Sequence, residues 1–541
     1  MVSCEKQQLS TESESVATKE IFATSGNDEN PNKEIVLGKK LKIPYALDVV
    51  ENAQKSLKSK SPNFKTFKVK ENYLYVRFTP KSIAEYDLVN QDSTLNTFNR
   101  PLDYEIAKNG SSYKDPNVID YGFGSIYCVI PADKQYNELK YDVLEKLYIP
   151  FGSGGKDKES KRLEKLQDEQ LTALDNEILE TTGYKVKSSK GKIGDWNPYG
   201  YIRVASTYGS SSYVPVQGCK VRSTKALVVT YSAITNTDGF YYITNSYWNI
   251  SEVNYDIKWE RDDYDLRFNA WDQAYTPGPK LGTGWNLNIN PATPAGYVSY
   301  MFAWVNNAAN YYYYYSSLMG IQSPPTCTPR TAYGLAAYML SQRMKIKVTD
   351  GWSAGGASHY LDFNANWLAA QISVLFNSTQ SSDIIFAVAC HELGHASHWS
   401  LGYTTADYVA GLNNNRRYAE SWAQCIGWFM TAKYFSPNRF INYNNYIFPH
   451  NLTYDVGIES QQYFTLSDQK LGLYTSAFID LVDDYSQYDC PESASGYTMN
   501  QIESAISKCP TNWDNIKNKL ASEYPNNPSK TQMTWIFNNY K

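Results

Sequence analysis

The sequence predicts a multidomain α+β protein, and three observations lead there. At 541 residues the chain exceeds what one ordinary core supports, so roughly two to four folding units are expected. Apolar and polar residues alternate with period two through 72–80, 124–131 and much of 197–262, which is strand patterning. After about residue 265 apolar residues recur at helical spacing, above all at 381–400 and 416–435. With 42% hydrophobic and 20% charged residues, the composition is that of a globular protein rather than a disordered one.

Residues 1–35 are rich in Ser, Glu, Asn and Lys and read as a flexible tether. Cys4 follows small or apolar residues and precedes this polar stretch. It resembles the end of a bacterial lipoprotein signal, which implies lipid on Cys4 and a cell-surface, periplasmic or secreted protein. The charged and long apolar parts of such a signal are missing. Either the chain starts inside the signal or Cys4 is an ordinary residue of the tether. No apolar run reaches the roughly 18 residues that span a bilayer.

Residues 36–195 form a mixed α/β N-terminal domain. Strands are expected at 72–80 and 124–131, with a turn and short helix at 82–92 between them. Gly and charge clusters break the pattern at 151–161. A helix follows, with Leu163, Leu166, Leu171, Leu174 and Ile178 on one face and its charged residues forming a solvated face.

Residues 196–264 alternate as short strands at 200–206, 213–223, 226–245 and 255–261. Asn236–Gly239 supplies the turn chemistry between two of them. The stretches VPVQGCKV and AITNTDGFYYI resemble the transthyretin-like or carboxypeptidase-regulatory-like β-sandwich. That resemblance, over about 65 residues, implies an accessory scaffold or binding module and offers no catalytic residue.

Residues 265–541 make up the C-terminal domain. Helices are expected at 296–320 and 331–344, strands at 345–351 and 369–377, then helices at 381–400 and 416–435 and a mostly helical, polar tail. The tyrosine run 311–315 reads as a packed face. The whole chain has 47 tyrosines and 13 tryptophans, an excess that suits extracellular binding. Its formal charge of −4, without a basic block, gives no reason to expect nucleic acid as a partner. The eight cysteines form no CxxC pair. Cys490 and Cys509 could bridge a short loop, while Cys390 and Cys425 read as buried thiols.

Three of the five histidines fall within ACHELGHASH, residues 389–398. On a helix, His391 and His395 share a face and can bind one cation. Zinc so held acidifies bound water to a pKa of about 7, and Glu392 is placed to take its proton. Chance would produce His-Glu-x-x-His in this composition roughly 0.005 times. Ser381, Ser382 and Asp383 offer N-cap chemistry, and Gly402 a stop. A catalytic zinc normally takes three protein ligands. The extended form HExxHxxGxxH is excluded, because His398 stands where Gly would be and Leu401 where the third His would be. His398 lies about 10 Å of helix rise from His391, so an outer-sphere or surface role is expected for it.

The next helix offers Glu420, 25 residues after His395, with Gln424 one turn later. This arrangement resembles the gluzincin metallopeptidases over about 45 residues. The resemblance implies a zincin-like domain in which His391, His395 and Glu420 hold Zn²⁺ and Glu392 is the general base. Gln424 stands where thermolysin-type members place an Asp that orients a ligand histidine. No Asn precedes Glu420, and no GxMEN lies upstream, so the chain falls outside both the thermolysin type proper and the gluzincin aminopeptidases. The resemblance further implies an edge strand that binds substrate, for which 369–377 is placed, although a buried strand suits it equally. It also implies an oxyanion donor, with Tyr418, His450 and Tyr474 as candidates. The expected activity is hydrolysis of extracellular protein, peptide or glycoprotein substrates. Two rivals stand beside it: a surface binding or adhesion protein with a degenerate zincin domain, and a zinc hydrolase of non-peptide amides.

Overall fold

The computed structural model describes residues 34–540 outside the segments 117–123, 151–167, 185–195, 327–342, 351–358, 361–371, 404–413, 436–474 and 484–493 and some shorter stretches. The described residues form a mixed α+β protein with several separate sheets and no barrel. No described helix is long and apolar enough to cross a membrane.

In the N-terminal part, β2 (Tyr73–Phe78) lies between β4 (Ile126–Pro131) and β5 (Tyr141–Leu147), all antiparallel. Alternation sorts its side chains. Tyr75 faces the main core with Tyr127 and Leu147, while Val76 and Phe78 pack with Cys128 and Ile130 in a smaller one. A second pair joins β1 (Val36–Lys40) to β3 (Tyr104–Lys108). Helices α1 (Leu47–Lys60), α2 (Ile83–Asn90) and α3 (Asp168–Thr181) complete this part. On α3, Leu171, Leu174 and Ile178 are buried as the spacing predicts. Its charged residues correct the expectation of a solvated face. Asp175 accepts from Tyr45 and pairs with Lys225, and Glu177 is held by Ser56 and Lys60. These are contacts with α1 and with a strand of the next unit, which helical periodicity does not show.

The central strands build two sheets. One runs β10 (Phe240–Tyr242), β6 (Tyr199–Ala205), β14 (Leu287–Ile289), with β7 (Tyr213–Pro215) also on β6. The other runs β13 (Tyr275–Leu281), β11 (Val253–Lys258), β8 (Lys220–Lys225), β9 (Val229–Ile234). The turn at Asn236–Gly239 forms as expected, with Asn236 Oδ1 accepting from the N–H groups of Asp238 and Phe240. Strands beyond residue 264, β13 and β14, complete both sheets.

The C-terminal sheet has the order β12 (Tyr264–Arg267), β15 (Met344–Asp350), β17 (Ile372–Phe376), β16 (His359–Tyr360). The first three strands are parallel and β16 is antiparallel. Ile346, Val348, Ile372, Val374 and Phe376 are all buried, the apolar run of a covered parallel sheet. Of the two roles that suit 369–377, substrate-binding edge strand and buried strand, the structure has the buried one. β17 pairs on both sides, and the two-residue β16 takes the edge.

Three long helices carry this domain: α4 (Pro294–Tyr315), α5 (Ser382–Ser400) and α6 (Asn414–Phe435). α4 joins the central sheets through amides. Asn306 donates to the Gln217 carbonyl, and Asn307 donates to that of Pro215. The tyrosine run is largely a packed face, with Tyr312 and Tyr313 buried and Tyr314 partly open beneath Arg261. In the tail, α7 (Met499–Lys508), α8 (Trp513–Glu523) and α9 (Lys530–Asn539) bury Ile502, Ile506, Trp513, Ile516, Met533 and Phe537. Cys390 and Cys425 are buried thiols, as read from the sequence. Cys509 is also a free thiol, while Cys490 and Cys4 lie outside the described residues, as does the helix expected at 331–344 except for Arg343 and Met344, the latter of which opens β15 instead.

Candidate metal centre

The site is made where α5 crosses α6. The N-cap residue of α5 is Ser381, but its hydroxyl does not cap. The Ser382 N–H donates instead to Thr207 Oγ1, and the Thr207 N–H donates to Ser382 Oγ. The helix start is thus fixed from the end of β6. At the other end Gly402 adopts φ +107°, a backbone that favours glycine, and closes the helix where the sequence places the stop.

Almost all of α5 is buried, including Glu392 and His391. The two helices approach closely because residue 394 is glycine. A Cβ there would meet Ile426 Cβ at 3.1 Å and Ala423 Cα at 3.2 Å. Ala423 and Ile426 flank Gln424 on α6, so this contact sets the height of the α6 side chains against the histidines. Gly394 is a positioning residue that motif spacing alone does not reveal.

Three ligand atoms converge there. His391 Nε2 and His395 Nε2 are 3.1 Å apart, and Glu420 Oε2 lies 3.3 Å from the first and 3.2 Å from the second. Glu420 is the acid on α6 that the spacing singles out. Gln424 Oε1 lies 3.1 Å from His391 Nδ1, so Nδ1–H donates to it and the Nε2 lone pair faces Glu420. The amide does the orienting that a carboxylate would do with more polarisation.

Electrostatics point the same way. Burial pushes the Glu420 carboxyl up, but His395 and His391 outweigh it and hold the group far below the usual range, ionised. Burial pushes Glu392 up to about 8, assisted by the nearby Glu420 charge and opposed by His391. Among the described residues, Glu392 Oε2 is buried without a hydrogen-bond partner.

The chain matches no family model, no curated protein and no solved structure. The case for a metal therefore rests on the side chains.

The donor set fits zinc. For Zn–ligand distances of about 2.05 Å, the edges of a tetrahedron are about 3.3 Å. The observed triangle has edges of 3.1, 3.2 and 3.3 Å. One proton between the two Nε2 atoms satisfies at most one pair, whereas a dication at the centre satisfies all three. His391, His395 and Glu420 could hold such an ion. They are the one such cluster of His, Cys, Asp and Glu among the described residues.

The remaining expected residues fall elsewhere. His398 is 1% exposed, which overturns a surface role. Its Nε2–H donates to the Pro510 carbonyl at 2.9 Å, and its ring stacks on Tyr403. Burial lowers its pKa to about 3, against the pull of Pro510 and with the help of His395, so it is neutral. Tyr418 is corrected as an oxyanion donor. Its hydroxyl donates to the Cys509 carbonyl, and its ring packs on Phe478 and Trp513. His398 and Tyr418 thus clamp the segment between α7 and α8 onto α5 and α6. His450 and Tyr474 lie outside the described residues.

Proposed function

We propose that the chain is a zinc-dependent hydrolase of peptide bonds, of the gluzincin kind, acting on extracellular protein, peptide or glycoprotein substrates. The observation that carries this reading is the convergence of His391, His395 and Glu420 beside a buried Glu392 that none of the three ligands requires. A purely structural zinc site closes its coordination with a fourth protein ligand, and among the described residues this cluster has three. A bound zinc ion supplies Lewis-acid polarisation at the site.

The chain's own residues supply the rest. His391 is held in one tautomer by Gln424, so its Nε2 stays available as a ligand. In its ionised form, which a dication held by the three ligands would favour, Glu392 accepts a proton from the attacking water and returns it to the leaving amine nitrogen. Its carboxyl is kept from water, which strengthens its interaction with a charge that develops nearby. His395 is the least buried of the ligands and marks the side from which a substrate carbonyl approaches.

The test is cleavage of a fluorogenic peptide mixture or of casein by purified protein, with chelation and zinc add-back. Glu392→Gln should retain zinc and lose about 10³-fold in rate, the range of a general base. Wild-type protein that holds zinc yet hydrolyses no peptide would leave the binding protein with a degenerate site as the better reading.

A further inference from the structure

The outer face of the β10–β6 sheet is unlike the rest of the surface. β6 alternates strictly, burying Gly200, Ile202 and Val204 and turning Tyr199, Tyr201 and Arg203 outward. In the antiparallel register Phe240 lies opposite Tyr201, and Tyr242 opposite Tyr199. Directly paired residues share a face, so four aromatic rings stand side by side on one surface. Tyr199 is 54% exposed, Tyr242 49% and Tyr201 40%, so these are three of the most open large apolar side chains of the described residues. Burying tyrosine would have been favourable, and elsewhere in this chain it is the rule, as with Tyr241 on the opposite face of the same strand.

The rings are ordered against one another. Tyr201 and Phe240 have centroids 5.1 Å apart at a tilt of 51°. The Arg203 guanidinium sits over Tyr201, 5.2 Å from its centroid. On the other side of β6, Asn288 pairs with Arg203 in register and is exposed. Asn286 holds the ladder by accepting from the Tyr201 N–H. The outward positions 199, 201, 203, 240, 242 and 288 carry no acidic side chain, and Pro215 lies opposite Arg203 in register. Arg203 makes no salt bridge among the described residues, so this face presents a cation with no countercharge in a chain of net charge −4.

We propose that this face binds a glycan chain bearing carboxylates, a uronate-containing polysaccharide. Tyr201 and Phe240, with centroids 5.1 Å apart across the strands, and Tyr199 and Tyr242 one pleat along present apolar ring faces and edges to successive sugar rings. The axial C–H faces of the sugars lie on the tyrosines, whose hydroxyls and the Asn288 amide meet the sugar hydroxyls. Arg203, flat and forked, takes the carboxylate. Arg203 has no ion-pair partner among the described residues, so a ligand that brings carboxylates together with apolar ring faces complements this surface in charge. The site is independent of the α5–α6 cluster, so either can fail without the other.

The experiment is native affinity electrophoresis of the full chain in gels containing polygalacturonate or, separately, neutral dextran, with titration calorimetry against galacturonate oligomers. Wild type should be retarded by polygalacturonate. A Tyr199→Ala/Tyr242→Ala double variant should bind about tenfold more weakly with its thermal transition unchanged, since both side chains are exposed. Arg203→Gln should lose the preference for the acidic over the neutral polymer while keeping ring-dependent binding. The proposal is overturned if wild type binds neither polymer, or if the double variant binds polygalacturonate as tightly as wild type. Sedimentation in which the double variant turns a wild-type dimer into a monomer would assign the face to a second copy of the chain and overturn it equally.

Discussion

Two buried clusters of charged groups invite comparison. Around Glu260, just past the end of β11, the carboxylate is met by the chain's own cations. Lys220 and Lys258 each reach its carboxylate at 2.8 Å, and Arg343 at 3.1 Å. Thr97 accepts from Lys258, and Arg222 nearby makes a two-pronged pair with Asp256. Burial alone would push the Glu260 carboxyl up, yet Lys258, Lys220 and Arg343 hold it far below its ordinary range. Around Glu420 the protein supplies one carboxylate and two imidazoles, all aimed at one point, and among the described residues no lysine or arginine pairs with it. The difference teaches how to tell scaffold from site. A buried carboxylate met by the chain's own lysines and arginines is scaffold, and one met by metal-ligating side chains is the candidate binding site.

That contrast can be broken or sharpened by mutation. The largest expected effect on stability lies in the closed cluster. Glu260→Ala leaves Lys258 buried opposite no carboxylate and should cost about 3–5 kcal/mol. Chemical denaturation with and without added zinc checks this, and the loss should be the same in both. In the open cluster, removing an orienting group should act on the metal instead. Gln424→Ala frees the His391 ring and should weaken zinc affinity about 10–100-fold, read by competition with a chromogenic chelator, with little change in apo stability. If Gln424→Ala destabilised the apoprotein as strongly as Glu260→Ala, the distinction between the clusters would collapse.

The smallest effect is a pH dependence. His398 has a folded pKa near 3, below its unfolded value of about 6.5. The unfolded chain therefore binds more protons between those values, and stability rises with pH across that window. The contribution is complete above about pH 6.5 and is lost as pH falls toward 3, at up to about 1.4 kcal/mol per pH unit. His398→Gln can still donate to the Pro510 carbonyl but cannot titrate. Denaturation at pH 7 and pH 4.5 should show a shallower acid loss for the variant, and equal slopes would mean that His398 is not buried neutral.

What the sequence discloses about the site follows from helical geometry. His391, Glu392 and His395 are legible because i, i+4 spacing on one helix fixes a common face. Glu420 and Gln424 are legible as a pair one turn apart, although which acid completes the cluster depends on how α6 crosses α5. That crossing depends on Gly394, whose meaning appears only when Ala423 and Ile426 lie against it. His398 shows the opposite failure. Its surroundings come from Tyr403, beyond the end of the helix, and from Pro510, far along the chain, neither of which helical periodicity reports, so a core histidine reads as a surface one. Strand 369–377 is found by its apolar run, but whether it is edge or interior is decided by the two residues of β16. Asp175 and Glu177 escaped in the same way, paired by partners more than a hundred residues away or on another sheet.

The central claim is that His391, His395 and Glu420 hold one zinc ion. Elemental analysis of the purified full chain, wild type beside Glu420→Ala, tests it directly. The account predicts one zinc per chain in the wild type, retained through dialysis, and a sharply reduced content in the variant. Equal zinc in both would place the third ligand elsewhere, and no zinc in either after metal is supplied would contradict the metal centre itself.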